Sequence, residues 1–201
     1  LRLLIWTLEA VVLYEDFKES LNNGYSLLTN NIIKSRSNAN IITDKGTANL
    51  HPAWSPDGKK VSYISNADND FFGQTDLFIY DVDSGEGKNI KRNVISSPSW
   101  NNDGSVIYYS KRAKYPNKYG SRYFDLYEYH FDEEKENRLT IDARAFSPCF
   151  IPTDSSLVYL ATYDGGQNIF HINLTTRKTQ KLTNYTDRSM ISNLSFDEDN
   201  N

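Results

Sequence analysis

Two polar stretches carry the side chains best suited to gripping another molecule. The first, Asn66-Ala67-Asp68-Asn69-Asp70-Phe71-Phe72-Gly73-Gln74-Thr75, sets acidic and amide oxygens at alternate positions. That spacing suits a hard cation such as calcium, yet the glycine and closing glutamate of an EF-hand loop are missing. Asp68, Asp70, Phe71 and Phe72 are therefore candidates for a binding rim, with calcium at residues 66–75 the alternative to having no cofactor. The second runs from Lys111 to Tyr123 and interleaves Lys111, Arg112, Lys114, Lys118 and Arg122 with Tyr115, Tyr119 and Tyr123. Cations pair with anionic groups and phenol rings stack on flat ones, so this stretch suits an anionic or carbohydrate partner. A solvated loop would carry the same residues.

Catalytic chemistry finds less support. His51, His130 and His171 fall at non-equivalent places, and no His-Glu-x-x-His helix, Gly-x-Ser-x-Gly elbow or pair of cysteine ligands occurs. The one cysteine, Cys149, excludes an internal disulfide and is expected as a small buried thiol. The segment is expected to be non-catalytic.

The net charge of −4 is spread over interspersed acids and bases, which gives no basic field for nucleic acid. The apolar fraction is only 38%, but 14 Tyr, 10 Phe and 3 Trp bury large areas each and can build a core. Abundant Asn, Ser, Asp and Gly point to many turns, hence to an all-β domain.

What must position the two polar stretches is a repeat. His51-Pro52-Ala53-Trp54-Ser55-Pro56-Asp57-Gly58 returns as Ser97-Pro98-Ser99-Trp100-Asn101-Asn102-Asp103-Gly104, and in altered form as Ser147-Pro148-Cys149-Phe150-Ile151-Pro152-Thr153-Asp154. A fourth start stands at Leu194-Ser195-Phe196-Asp197-Glu198-Asp199-Asn200. The anchors Trp54, Trp100, Phe150 and Phe196 are 46, 50 and 46 residues apart, about one four-stranded propeller blade. In each unit a turn follows the anchor. Next come a Tyr-bearing second strand (Val61–Ile64, Val106–Tyr109, Leu157–Leu160) and a third strand (Asp76–Asp81, Asp125–His130, Asn168–Asn173). Outer strands are expected at 137–140 and 181–183. Trp54, Trp100 and Phe150 are expected in the core, and Asp57 and Asp103 as turn caps. Both polar stretches join strands two and three, so they emerge on one rim.

The string Pro52-Ala53-Trp54-Ser55-Pro56-Asp57-Gly58-Lys59, with Asp76-Leu77-Phe78-Ile79-Tyr80-Asp81 after it, resembles the TolB-like propeller repeat, an architectural relative of the WD blade. The third unit departs from it, with Phe150 for Trp and Thr153-Asp154 for Asp-Gly. The resemblance implies a partial propeller of about three four-stranded antiparallel blades in a periplasmic or cell-surface setting. It implies no single activity. A binding module of the bacterial envelope, facing a protein or polymer partner, is the first expectation. The alternative is a substrate-gating propeller of a peptidase, zinc-dependent upstream or a serine hydrolase downstream. A metal-dependent lyase propeller, which would need inward histidines on first strands, fits least.

Residues 1–31 lack the repeat. Apolar residues at helical spacing, with a stop at Asn22-Asn23-Gly24, predict one or two helices from the tail of an upstream domain. The pattern Tyr14, Phe17-Lys18, Leu21, Tyr25 is similar to the closing helix of zinc-peptidase-like domains that precede such blades; an amphipathic docking helix of any upstream domain is the preferred reading. The apolar run is too short for a membrane span. Residues 32–46 are expected as the outer strand of a preceding blade. Blades then follow at 47–93, 94–143 and 144–187, with the start of a further one at 188–201. The chain is expected to be an excerpt of a longer protein, in which a signal peptide would not be visible.

Overall fold

The computed structural model describes residues 2–35, 37, 39–71, 73–163, 165–187 and 189–196, and the side chains of all of these except 2–9. The expected residues Phe72 and 197–200 lie outside them. The chain divides into two units, Leu1–Ile41 and Ile42–Asn201.

The first unit holds one uninterrupted helix, α1 (Arg2–Ser35), and the expected stop at Asn22-Asn23-Gly24 does not break it. A mid-helix glycine costs only about 1 kcal/mol, and the apolar spacing resumes beyond it with Tyr25, Leu28 and Ile32. The Ser26 and Thr29 hydroxyls bond back to the carbonyls of Asn23 and Tyr25, so they do not compete with the helix. No helix among the described residues is long and apolar enough to cross a membrane.

The second unit is all β, in three four-stranded antiparallel sheets with strands in chain order. Blade one holds β1 (Asn49–Trp54), β2 (Lys60–Ser65), β3 (Asp76–Asp81) and β4 (Glu86–Lys91). Blade two holds β5 (Val94–Trp100), β6 (Val106–Arg112), β7 (Phe124–His130) and β8 (Lys135–Arg138). Blade three holds β9 (Ala145–Ile151), β10 (Ser156–Tyr163), β11 (Gly166–Asn173) and β12 (Thr179–Lys181). The expected strand within 32–46 is absent: 32–35 are helical and no strand lies between 39 and 48. A lone outer strand has no ladder partner in this chain. Ile42 and Thr43 instead line a cleft with Tyr63 and Phe78, on the face of blade one.

Turn chemistry repeats from blade to blade. Gly58 and Gly104 take φ of 69° and 72°, a left-handed conformation that glycine adopts without a Cβ clash. Asp57 and Asp103 cap these turns, accepting the N–H of Lys59 and Ser105. In blade three the left-handed position moves one residue on, to Ser155 at φ 52°. The first strands all bulge, with His51, Ser96 and Ser147 at positive φ.

Period-two alternation then builds two seams. Ile107, Tyr109, Tyr127 and Tyr129 of blade two face Ile64, Leu77 and Ile79 of blade one. Val106, Tyr108 and Leu126 face Leu157, Tyr159 and Ile172 of blade three. The anchors of blades two and three pack backward onto the blade before them. Trp100 is buried, stacks on Phe131, and donates its indole N–H to Ser62 Oγ at 3.1 Å. Phe150, half-buried, stacks on Tyr108. Trp54 has no described blade behind it and is 62% exposed, so it is not the core residue expected of it. Cys149 is likewise only half-buried.

A polar residue within the first three positions of each third strand ties down the segment that follows the blade. Asp125, fully buried, accepts from Thr140 Oγ1 at 2.8 Å, from the N–H of Ala143 at 2.9 Å, and from Arg138 at 2.5 Å. Asp76 accepts the N–H of Asn93, and Asn168 accepts that of Tyr185. The outer strands therefore end at Arg138 and Lys181, earlier than the sequence suggested, because Leu139 turns onto blade three and Thr140 turns in toward Asp125.

Candidate functional site

The loops joining second to third strands leave each blade at one end, and the turns joining third to fourth strands leave at the other. In blade three the connection is minimal, with Tyr163 paired to Gly166. In blades one and two it carries the two polar stretches, so both rise from the same edge. The structure brings them together: Phe71, Gly73 and Gln74 of blade one line a cleft with Arg112 and Phe124 of blade two.

The basic loop is built rather than slack. The Ala113 N–H reaches the Tyr123 carbonyl, and the Asn117 N–H reaches that of Ser121. Asn117 Oδ1 accepts the N–H groups of Tyr119 and Ser121, while its Nδ2 donates to Asp142. Gly120 at φ 78° closes the reversal. Tyr115 and Tyr119 are thereby left 71% and 78% exposed, with Lys114 and Lys118 over their rings at 5.2 and 4.9 Å. Among the described residues, neither Lys114 nor Lys118 forms a salt bridge.

Lys111 does not belong with them. Its ammonium is paired with Glu136 and sits 4.7 Å over the Tyr127 ring, so it is part of the blade. Burial, then Glu136, pushes the Tyr109 phenol far above its usual range beside this pair. Arg112 and Arg122 remain on the rim. Two residues that sequence reasoning missed join them. Arg144, in the linker between blades two and three, lies 4.3 Å over the Tyr123 ring and donates to its hydroxyl at 2.9 Å. That hydrogen bond holds the Tyr123 phenol below its usual pKa. Phe146, at the start of β9, lines a cleft with Arg112, Arg122 and Arg144. Both lie in the linker-to-first-strand region, which also reaches this edge; that topology was the only available signal.

Two polar side chains of the 66–75 stretch are engaged with the protein itself. Asn66 Oδ1 accepts the N–H groups of Thr47 and Ala48, and Asp68 accepts from Asn89. Asp70 has no hydrogen bond or ion pair among the described residues, and Phe71 is exposed. Among those residues no three His, Cys, Asp or Glu side chains gather as a metal site would need. The histidines are also scattered: His51 sits on the β1 bulge, His130 lies 3.4 Å from Glu128, and His171 lies 3.4 Å from Asp154.

The family described as the TolB beta propeller domain matches residues 19–184. No curated protein matches the chain. Among solved structures the chain is similar to a TolB-type protein from Agrobacterium tumefaciens, at 20% identity and a TM-score of 0.58, over 71% of this chain and 50% of that one. It is similar to TolB from Acinetobacter baumannii at 20% identity and 0.52, over 68% and 32%. Hydrazine synthase of Kuenenia stuttgartiensis gives 11% and 0.56, over 74% and 27%. The chain thus spans no more than half of any of these structures. At such identities the likeness is one of fold.

Proposed function

Since the chain belongs to the TolB β-propeller family over residues 19–184, we propose that it is a non-catalytic binding module of the bacterial cell envelope, periplasmic or cell-surface, presenting its β2–β3 rim to a protein or polymer partner. The observation that supports this most is the meeting of the two long loops of neighbouring blades around Arg112, while blade three keeps a minimal connection. Loop length beyond what a hairpin needs, carried on a rigid scaffold, is where binding surfaces are built. Exposed aromatic rings beside cations are the side chains that dominate such surfaces.

Photo-crosslinking tests the reading. A benzoylphenylalanine placed at Tyr115 or Tyr119 in the full-length protein should give a discrete adduct in cells. The same group at Val82, in a β3–β4 turn at the opposite edge, should give none. Equal labelling from both edges would remove the rim assignment.

A further inference from the structure

At the seam between blades two and three the rim holds a cleft of about 370 Å³ lined by Ile95, Arg112, Arg122, Tyr123, Phe124, Arg144, Phe146 and Thr162. Three guanidinium groups share it, and among the described residues no carboxylate lines it. Among the described residues none of the three arginines forms a salt bridge. Two are held in place by their neighbours. Arg112 ends β6, its N–H bonded to the Asn93 carbonyl and its guanidinium 5.1 Å from the Phe124 ring centroid. Arg144 is fixed by Tyr123 and by its own carbonyl, which accepts the Thr162 N–H.

Like charges gathered without a counter-charge repel one another, and an anion entering the cleft relieves that repulsion. Guanidinium forks match carboxylates in a planar, two-point geometry that a lysine cannot reproduce. Ile95, Phe146 and the Phe124 ring supply an apolar wall, on which an aliphatic or aromatic side chain gains by burial. A sugar polymer would need acceptors for its hydroxyls. Among the described residues, and apart from the backbone, the lining offers only Thr162 and the Tyr123 hydroxyl, and the latter already receives Arg144.

We infer that this cleft seats an acidic peptide segment of the partner: a carboxylate among Arg112, Arg122 and Arg144, with an apolar neighbour against Ile95 and Phe146. The inference rests on the rim reading above and narrows it to one ligand chemistry and one seam.

Fluorescence anisotropy on the full chain tests it, with a labelled peptide alternating Glu and Leu, its Gln-for-Glu counterpart, and polygalacturonate as competitor. The Glu/Leu peptide is expected to bind and the Gln/Leu peptide to bind at least roughly tenfold more weakly, about 1.4 kcal/mol. Arg112→Gln, Arg122→Gln and Arg144→Gln should each weaken binding several-fold and lower its salt dependence. Lys135→Gln, at the first residue of β8 at the opposite edge, should leave it unchanged. Thermal unfolding of each variant separates lost contacts from lost fold. Equal binding of the two peptides, or wild-type affinity in all three arginine variants, overturns the proposal. Preferential binding of polygalacturonate also overturns it, while leaving the rim reading standing. Rim adducts in the crosslinking experiment that persist in all three arginine variants would likewise retain the rim and reject this cleft.

Discussion

The two seams between blades solve one problem with different chemistry. At the first, the Trp100 indole N–H reaches back to Ser62 Oγ at 3.1 Å and to the Ala53 carbonyl at 3.3 Å, while its ring stacks on Phe131. At the second, Phe150 fills the anchor position without a donor, and backbone groups and a charge pair take over. Ser99 Oγ accepts the Phe150 N–H, Ser96 Oγ accepts that of Ser147, and Ser110 donates to the Ala145 carbonyl. Arg177, from the β11–β12 turn, reaches across to Glu128 at 2.8 Å. The first seam centres on one large buried side chain, backed by the Thr75 hydroxyl on the Val94 carbonyl at 2.6 Å and by Lys60 and Lys91 over the Phe131 and Tyr129 rings. The second is distributed over several small contacts, one of them ionic.

That difference predicts unequal responses to truncation. Trp100→Ala removes a buried ring and its donor together, and should destabilise by about 3–5 kcal/mol. Phe150→Ala removes a half-buried ring whose neighbouring backbone bonds survive, and should cost roughly 2 kcal/mol less than the largest such losses. Urea unfolding of the two variants measures the gap. Equal costs would mean that the second seam depends on its anchor as much as the first does.

Acid should separate the seams further. Burial pushes the Glu128 carboxyl upward, but the hydrogen bond and charge of Arg177, with Asn137 and His130, outweigh it and leave the group below its ordinary value. A carboxylate depressed in the folded state stabilises the fold fully above its unfolded value, near pH 4.3. That contribution disappears as pH falls through the lower folded value. Glu128→Gln should therefore cost about 1 kcal/mol at neutral pH, since Arg177 is half exposed and screened. The cost should shrink on acidification from about pH 5 to pH 3. A cost independent of pH over that range would show that Glu128 acts through packing alone.

Much of this was legible in the sequence where a residue type answers to its own backbone. The glycines at 58 and 104 marked the left-handed turns, and the Tyr-bearing runs 61–64, 106–109 and 157–160 marked the second strands. What was not legible depends on neighbours far along the chain. Asn22-Asn23-Gly24 looks like a helix end, yet the apolar spacing on both sides carries α1 through it. Lys111 looks like its basic neighbours, yet as the residue before the end of β6 it faces Glu136 and Tyr127, and only pairing across strands could reveal that. Arg144 and Phe146 lie outside the basic run and enter the rim because linkers and β2–β3 loops share one edge.

The smallest effect is the sharpest use of the comparison. Trp54 and Trp100 occupy equivalent positions, each pairing with a buried residue of the next strand, Val61 and Ile107. Trp100 has Ala53 and Ser62 behind it; Trp54 has no described blade there and stands 62% exposed against 8%. If an anchor stabilises by what it meets on the preceding blade rather than by its own strand, Trp54→Ala should change the stability of this chain by less than about 0.5 kcal/mol. Fusing one further blade ahead of residue 47 should make the same substitution cost several-fold more. A large cost for Trp54→Ala in the chain as it stands would mean that the indole supports its own sheet. The backward packing seen at Trp100 would then be incidental to its role.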